Sequence, residues 1–249
     1  MTTTKTFLKN GFLIAMVSLL QNSICYSQQT KETIKGDNIN TQVTISTLGK
    51  TVERKTYEGT KSNSALQYFN QASYFADKND LNNAKKYYLL AIQEDSEYVQ
   101  AYDNLGIIYR RAGEFDKAIE KYKQSISFYP QGKVAHQNLA SAYTLKKQYK
   151  NANKEYETLL NLDPNDPEGY FGYANSCMVQ SQYEIALKNA DKALELYQSQ
   201  NSPLINEGQY LIGLIYYYKG DSSNAIKYLR LAKKNGAEIN MQIAKELNL

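Results

Sequence analysis

One histidine, His136, and two cysteines, Cys25 and Cys177, are the side chains of this 249-residue sequence best suited to nucleophilic or acid–base chemistry. A reactive thiol needs a base or cation beside it to hold the thiolate, and no second histidine exists to serve Cys177. With so few histidines and cysteines, a zinc site of the usual kinds cannot be assembled within one chain. Glycine-rich phosphate loops are missing, and "EGQYLIG" (207–213) lacks the spacing that would cradle a phosphate. The carboxylates Glu114 and Asp116 fall at a short turn, "AGEF" (112–115), where charge is ordinarily solvated. These residues predict no catalytic site, no metal and no cofactor, and hence no enzyme.

His136 and Cys177 are better explained by a pattern that runs through most of the chain. "AYDNLGIIYRRAGEFDKAIEKY" (101–122) aligns without a gap on "AHQNLASAYTLKKQYKNANKEY" (135–156), a step of 34 residues. The same step reaches "GYFGYANSCMVQSQYEIALKNA" (169–190) and, backwards, "LQYFNQASYFADKNDLNNAKKYY" (66–88). A fifth copy, "GQYLIGLIYYYKGDSSNAIKYL" (208–229), follows a five-residue insertion near "NSPLI". The units are 65–98, 99–132, 133–166, 167–200 and 206–239. A period of this length is the mark of stacked supersecondary units that bury a continuous core together.

Each unit holds two apolar stripes at helical spacing, such as Tyr102, Leu105, Gly106 and Tyr109, then Ala118, Tyr122, Ser125 and Ile126. Small residues recur in two columns: Gly106, Ala140, Ala174 and Gly213 in one, and Ala84, Ala118, Ala152, Ala186 and Ala225 in the other. They let paired helices approach closely, while Tyr109, Tyr143, Tyr122 and Tyr156 fill the space beside them. Pro130 and Pro164 end second helices, and Asp166 before Pro167 is placed to cap the next first helix. In this register His136 occupies the column of Tyr68, Tyr102 and Tyr170, and Cys177 that of Phe75, Tyr109 and Tyr143, so both read as packing residues.

These columns resemble the tetratricopeptide repeat family, and the resemblance covers about 175 of the 249 residues. It departs at His136 in the third copy and at the fourth, which ends at Gln198 without a proline. The resemblance implies an all-α, right-handed superhelical solenoid of helix-turn-helix repeats. It also implies a concave groove lined by first-helix residues that point away from the second helix. By register these are Phe69, Ser73 and Ala76; Asp103, Ile107 and Arg110; Gln137, Ser141 and Thr144; Phe171, Asn175 and Met178; and Tyr210, Leu214 and Tyr217. Family members that grip acidic carboxyl termini use paired lysine and asparagine at such places. Here Asp103 is acidic and Phe171 lies one turn before Asn175, so that clamp is broken. The expected ligand is instead an amphipathic helix or extended peptide whose apolar residues enter between Phe171, Met178, Tyr210, Leu214 and Tyr217. After the last unit, Ile239, Ile243 and Leu247 fall on one helical face and predict a capping helix over 240–249, as a repeat array requires at its end.

Ahead of the array, Lys5 and Lys9 precede the apolar run "GFLIAMVSLL" (11–20), and no acidic residue occurs before Glu32. This is a secretory leader pattern with cleavage after Ser27, predicting an exported protein of the periplasm, cell envelope or exterior. The run is short of the ~20 apolar residues a bilayer span requires, which disfavours a retained anchor. Lipidation of Cys25 is the third reading, against which bulky Ile24 argues. Loss of Lys5 and Lys9 with the leader leaves 27 basic against 25 acidic residues, a net charge of +2, and nothing directs the chain to nucleic acid. Residues 28–64 read as a flexible polar arm with one short strand over 39–47, where Ile39, Val43 and Ile45 alternate with polar residues. The sequence thus predicts an exported, non-enzymatic scaffold that binds a protein or peptide in its groove within an envelope assembly or secretion complex. The alternative is an accessory or regulatory subunit whose groove is masked by residues 28–64.

Overall fold

The computed structural model describes residues 59–249. The expected leader and the strand over 39–47 lie outside the described residues, as does all of the arm before Gly59. Within the described part every element is an α-helix. Five helix pairs follow one another: α1 (Asn63–Asp77) with α2 (Leu81–Glu94), α3 (Val99–Arg111) with α4 (Phe115–Phe128), α5 (Lys133–Leu145) with α6 (Tyr149–Leu162), α7 (Pro167–Val179) with α8 (Tyr183–Ser199), and α9 (Ile205–Lys219) with α10 (Ser222–Lys234). A short α11 (Met241–Leu247) closes the chain.

α1 begins two residues inside the segment read as arm. Ser62 caps it by accepting from the Ala65 N–H, and just ahead Thr60 donates to Asp95 at 2.5 Å, tying this entry to the turn after α2. The turn within each pair is the same device five times. Asn79, Gly113, Lys147, Ser181 and Gly220 all adopt positive φ, and the next N–H bonds the carbonyl five residues back, as in Asp80 to Phe75 and Gln148 to Tyr143. Glycine fills only two of these five places, so Lys147 and Ser181 accept a conformation that side chains disfavour.

The small columns do what close packing requires. Ala84, Ala118, Ala152, Ala186 and Ala225 are fully buried. A β-carbon added to Gly106 would sit 2.4 Å from the Tyr122 ring, and one added to Gly213 would sit 2.7 Å from Leu229. α4 and α6 stop two residues short of Pro130 and Pro164. Lacking that proline, α8 runs on for 17 residues and ends only where Asn201 turns to positive φ. This overrun and the loop before α9 account for the insertion in the repeat.

Each first helix packs between its own second helix and the second helix before it. Successive first helices also touch, α3 with α5, α5 with α7 and α7 with α9, and second helices do so less. The first helices therefore lie on the inner side of the curve, and their outward stripes line its concave face.

Candidate concave binding face

The face is built by helical periodicity. On α3, Asp103, Ile107 and Arg110 follow at i, i+4 and i+7 and form one stripe, while Leu105, Gly106 and Tyr109 turn to the second helices. The same register places Ser141 and Thr144 on α5, Phe171, Asn175 and Met178 on α7, and Tyr210, Leu214 and Tyr217 on α9. All of these except Tyr217 are buried, from 1% exposure for Ser141, Asn175 and Met178 to 8% for Tyr210; Gln137 and Tyr217 are half-buried.

The two ends of the face differ from the expectation of an open groove. At the N-terminal end, Phe69 is packed edge-on to Tyr88 at 5.5 Å and against Tyr98 at 5.1 Å, and Ser73 shares a hydrogen bond with the Tyr88 hydroxyl at 3.1 Å. At the C-terminal end the Tyr217 hydroxyl donates to Glu246 on α11, and backbone at Asn240 reaches the Tyr210 hydroxyl. Ile243 is buried there, with Ile239 and Leu247 half-buried. The chain's own C-terminus thus engages two aromatic residues that register alone assigns to a ligand. Amphipathic 241–247 offers an apolar side to an apolar end, and its Glu246 takes the Tyr217 hydroxyl.

The middle of the face is different in chemistry. Eight buried side-chain polar atoms have no hydrogen-bond partner among the described residues, and six of them lie on α3, α4 and α5: Asp103 Oδ1, Arg110 Nε, Tyr122 Oη, Ser125 Oγ, Asn138 Oδ1 and Ser141 Oγ. Asn175 Oδ1 on α7 continues the series, although its amide nitrogen donates to the Phe171 carbonyl at 3.1 Å. At the preceding junction the equivalent groups are satisfied, since Tyr88 receives Asn104 Nδ2 at 3.1 Å as well as Ser73.

Burial pushes the Asp103 carboxyl up to about 6 against the lowering influence of the Ser125 hydroxyl beside it and of His136, and it pushes Tyr122 up to about 12 despite Arg110 beside its hydroxyl, so these atoms face one another in two pairs that fall short of hydrogen-bond geometry. Ser125 has a signal that the sequence reading passed over. It stands in a column otherwise filled by Ala91, Leu159, Ala193 and Ala232, so a lone hydroxyl there marks a polar pocket.

The residues first considered for catalysis are otherwise engaged. His136 Nε2 faces the Pro130 carbonyl at 3.0 Å, repeating the bond that Tyr102 makes to the Ser96 carbonyl, and Nδ1 faces Glu155 at 2.7 Å. Two acceptors favour the doubly protonated ring. Burial works against that charge, yet Glu155, the Pro130 carbonyl and Asp103 raise the imidazole above its ordinary value. Burial drives the Cys177 thiol up to about 12, so it carries no thiolate at neutral pH.

Glu114 and Asp116 are not merely solvated. Glu114 takes Lys85 of the preceding unit at 2.9 Å and Lys117 at 2.5 Å, and Asp116 pairs with Lys146 of the following one. They stitch neighbouring repeats, although surface pairs of this kind are worth only ~0–1 kcal/mol each. Among the described residues no cluster of three or more His, Cys, Asp or Glu could hold a metal, and no helix is long and apolar enough to cross a membrane.

Sequence models of the tetratricopeptide repeat family match residues 68–98, 99–131, 134–166 and 174–238. No curated protein sequence matches the chain significantly. Among solved structures, residues 41 to the end of MamA from Desulfovibrio magneticus superpose with a TM-score of 0.60 at 17% identity, over 71% of this chain and 97% of that one. YrrB, described as a TPR protein with an unusual peptide-binding site, gives 0.54 at 21% identity over 74% and 91%. A thermophilic TPR protein of Thermus thermophilus gives 0.60 at 13% identity over 74% and 97%. At these identities the likeness is one of fold.

Proposed function

The chain belongs to the tetratricopeptide repeat family, and from that premise we propose that it is a non-enzymatic scaffold that binds a segment of a partner protein on the concave face of α3, α5 and α7. The observation that carries this reading is the run of buried polar atoms without partners, set beside Ile107, Phe171 and Met178. An unpaired buried polar group costs ~1–3 kcal/mol, and those on the concave stripes, Asp103, Arg110, Ser141 and Asn175, are where the polar groups of a ligand would find partners. The peptide-binding site named for YrrB is consistent with this use of the fold. The leader pattern of residues 1–27 supports action outside the cytoplasm, and a place in a cell-envelope assembly or secretion complex is carried over by analogy to the family.

Site-specific photo-crosslinking on the mature chain, residues 28–249, tests the reading. A crosslinker replacing half-buried Gln137 on the concave side should trap a distinct partner in cells, and one at exposed Leu89 on α2 should not. Equal products from both positions, or none from Gln137, count against a concave site. In the second reading residues 28–64 mask the face. A crosslink from Gln137 into that stretch of the same chain would favour it.

A further inference from the structure

We infer that the concave face of the second and third repeats is built for an extended partner segment carrying a basic side chain, with the Asp103 carboxylate receiving its ammonium or guanidinium group. This rests on the scaffold reading and specifies the ligand it takes. The unpartnered atoms are weighted toward acceptors. On the concave stripes Asp103 Oδ1 and Asn175 Oδ1 only accept, the Ser141 hydroxyl can do either, and Arg110 Nε alone is confined to donation, while Tyr122, Ser125 and Asn138 lie between the helices. A complementary ligand is therefore rich in donors, which an extended backbone supplies through its N–H groups and a basic side chain supplies in greater number.

Asp103 is the anion of this set, with the Ser125 hydroxyl beside it and His136 as its cationic neighbour. Its carboxylate is buried to 7% exposure and makes no ion pair among the described residues. The nearest cationic ring, His136, is held by Glu155 and the Pro130 carbonyl. Arg110 is two turns away along the same helix, roughly 10 Å at the helical rise, and lies beside the Tyr122 hydroxyl. The nearby lysines are committed elsewhere, Lys85 to Glu114, Lys133 to Asp163 and Lys146 to Asp116.

A lone buried carboxylate gains most from a cation that arrives with its own fixed geometry and displaces no existing pair. Ile107, Phe171 and Met178, buried along the same face, select apolar residues on either side of that cation. A carboxylate- or phosphate-bearing ligand would instead place its charge against Asp103, which is the discriminating element.

The test uses mature 28–249 and fluorescein-labelled nonapeptides of alternating valine and serine whose central residue is lysine, glutamine or glutamate, with binding read by anisotropy. The lysine peptide should bind at least tenfold tighter than the glutamine peptide, and the glutamate peptide more weakly still. Asp103→Asn is nearly isosteric and should abolish the lysine preference. Equal affinity of all three peptides, preference for glutamate, or a lysine preference that survives Asp103→Asn overturns the inference. Absence of measurable binding overturns it also, unless removal of residues 28–58 reveals the lysine preference, which would make those residues a competitor for the same site and uphold the assignment. Binding without charge preference would sink this inference and leave the scaffold reading standing. A failed Gln137 crosslink would sink the scaffold reading itself.

Discussion

The second and third repeats and the C-terminal end of the array share one backbone plan but close their inner faces differently. Around α3 to α5 the face is polar inside an apolar frame, with buried atoms on Asp103, Arg110 and Ser141 that find no hydrogen-bond partner among the described residues. Around α9 it is aromatic and aliphatic, and α11 of the same chain meets it through Tyr217 with Glu246 and through buried Ile243. The contrast teaches where a partner is needed. An apolar end can be satisfied by any amphipathic segment at hand, and the chain supplies one. Directional polar groups accept only a ligand with matching donors.

The largest effect should come from breaking the packing that holds the polar face in place. Gly106→Leu must displace the Tyr122 ring, since even a methyl there falls at 2.4 Å. A loss of more than about 3 kcal/mol is expected in chemical denaturation, at or beyond the upper end of overpacking effects. Unchanged unfolding would deny that this contact shapes the central repeats.

Lowering the pH should sharpen the contrast more gently. Asp103, raised from 3.8 to about 6, and Glu168, raised from 4.5 to about 7, both bind protons more tightly when folded. Burial is the main cause for each, with Tyr197 opposing it at Glu168. Groups raised in this way contribute stability that is complete below the unfolded value and is lost as pH rises through the folded one. His136, raised above 6.5, acts in the same sense. The array should therefore melt higher at pH 5.5 than at pH 8. Asp103→Asn should remove roughly 1 kcal/mol of that pH dependence, because most of the change for a carboxyl raised from 3.8 to about 6 falls below pH 5.5. A melting temperature that rises between pH 5.5 and 8 would contradict the assignment.

The smallest effect belongs to the C-terminal end. Tyr217→Phe removes the bond to Glu246 and should cost about 1 kcal/mol or less, because the pair is partly exposed. Hydrogen exchange should quicken in 241–247 and stay unchanged in α3 to α5. Faster exchange in both regions would show that the two ends of the face are coupled.

Much of this organisation was legible in the residues. The 34-residue period, the alanine column from Ala84 to Ala225 and the small column that holds Gly106 and Gly213 are local consequences of helices that must approach closely, and they were readable without coordinates. Pro130, Pro164 and the Asp166 cap fixed helix boundaries for the same reason, since backbone chemistry acts on neighbours in sequence. The left-handed turns at Lys147 and Ser181 were not legible, because neither residue advertises positive φ. Register also put Tyr210 and Tyr217 beside Phe171 as one ligand surface, and it gave no sign that Asn240 and Glu246 would reach back to them.

The sequence by itself therefore determined the repeat, its helix pairs and the stripe on which Asp103, Ile107 and Arg110 stand. Periodicity and side-chain size act through contacts that recur at every step. Only the tertiary structure decided that Asp103 is a buried carboxylate with no ion pair among the described residues, that Ser125 and Tyr122 share its pocket, and that His136 is spent on Glu155 and the Pro130 carbonyl. Whether a polar atom finds a partner depends on a few tenths of an ångström between helices far apart in sequence, and no repeat pattern encodes that distance.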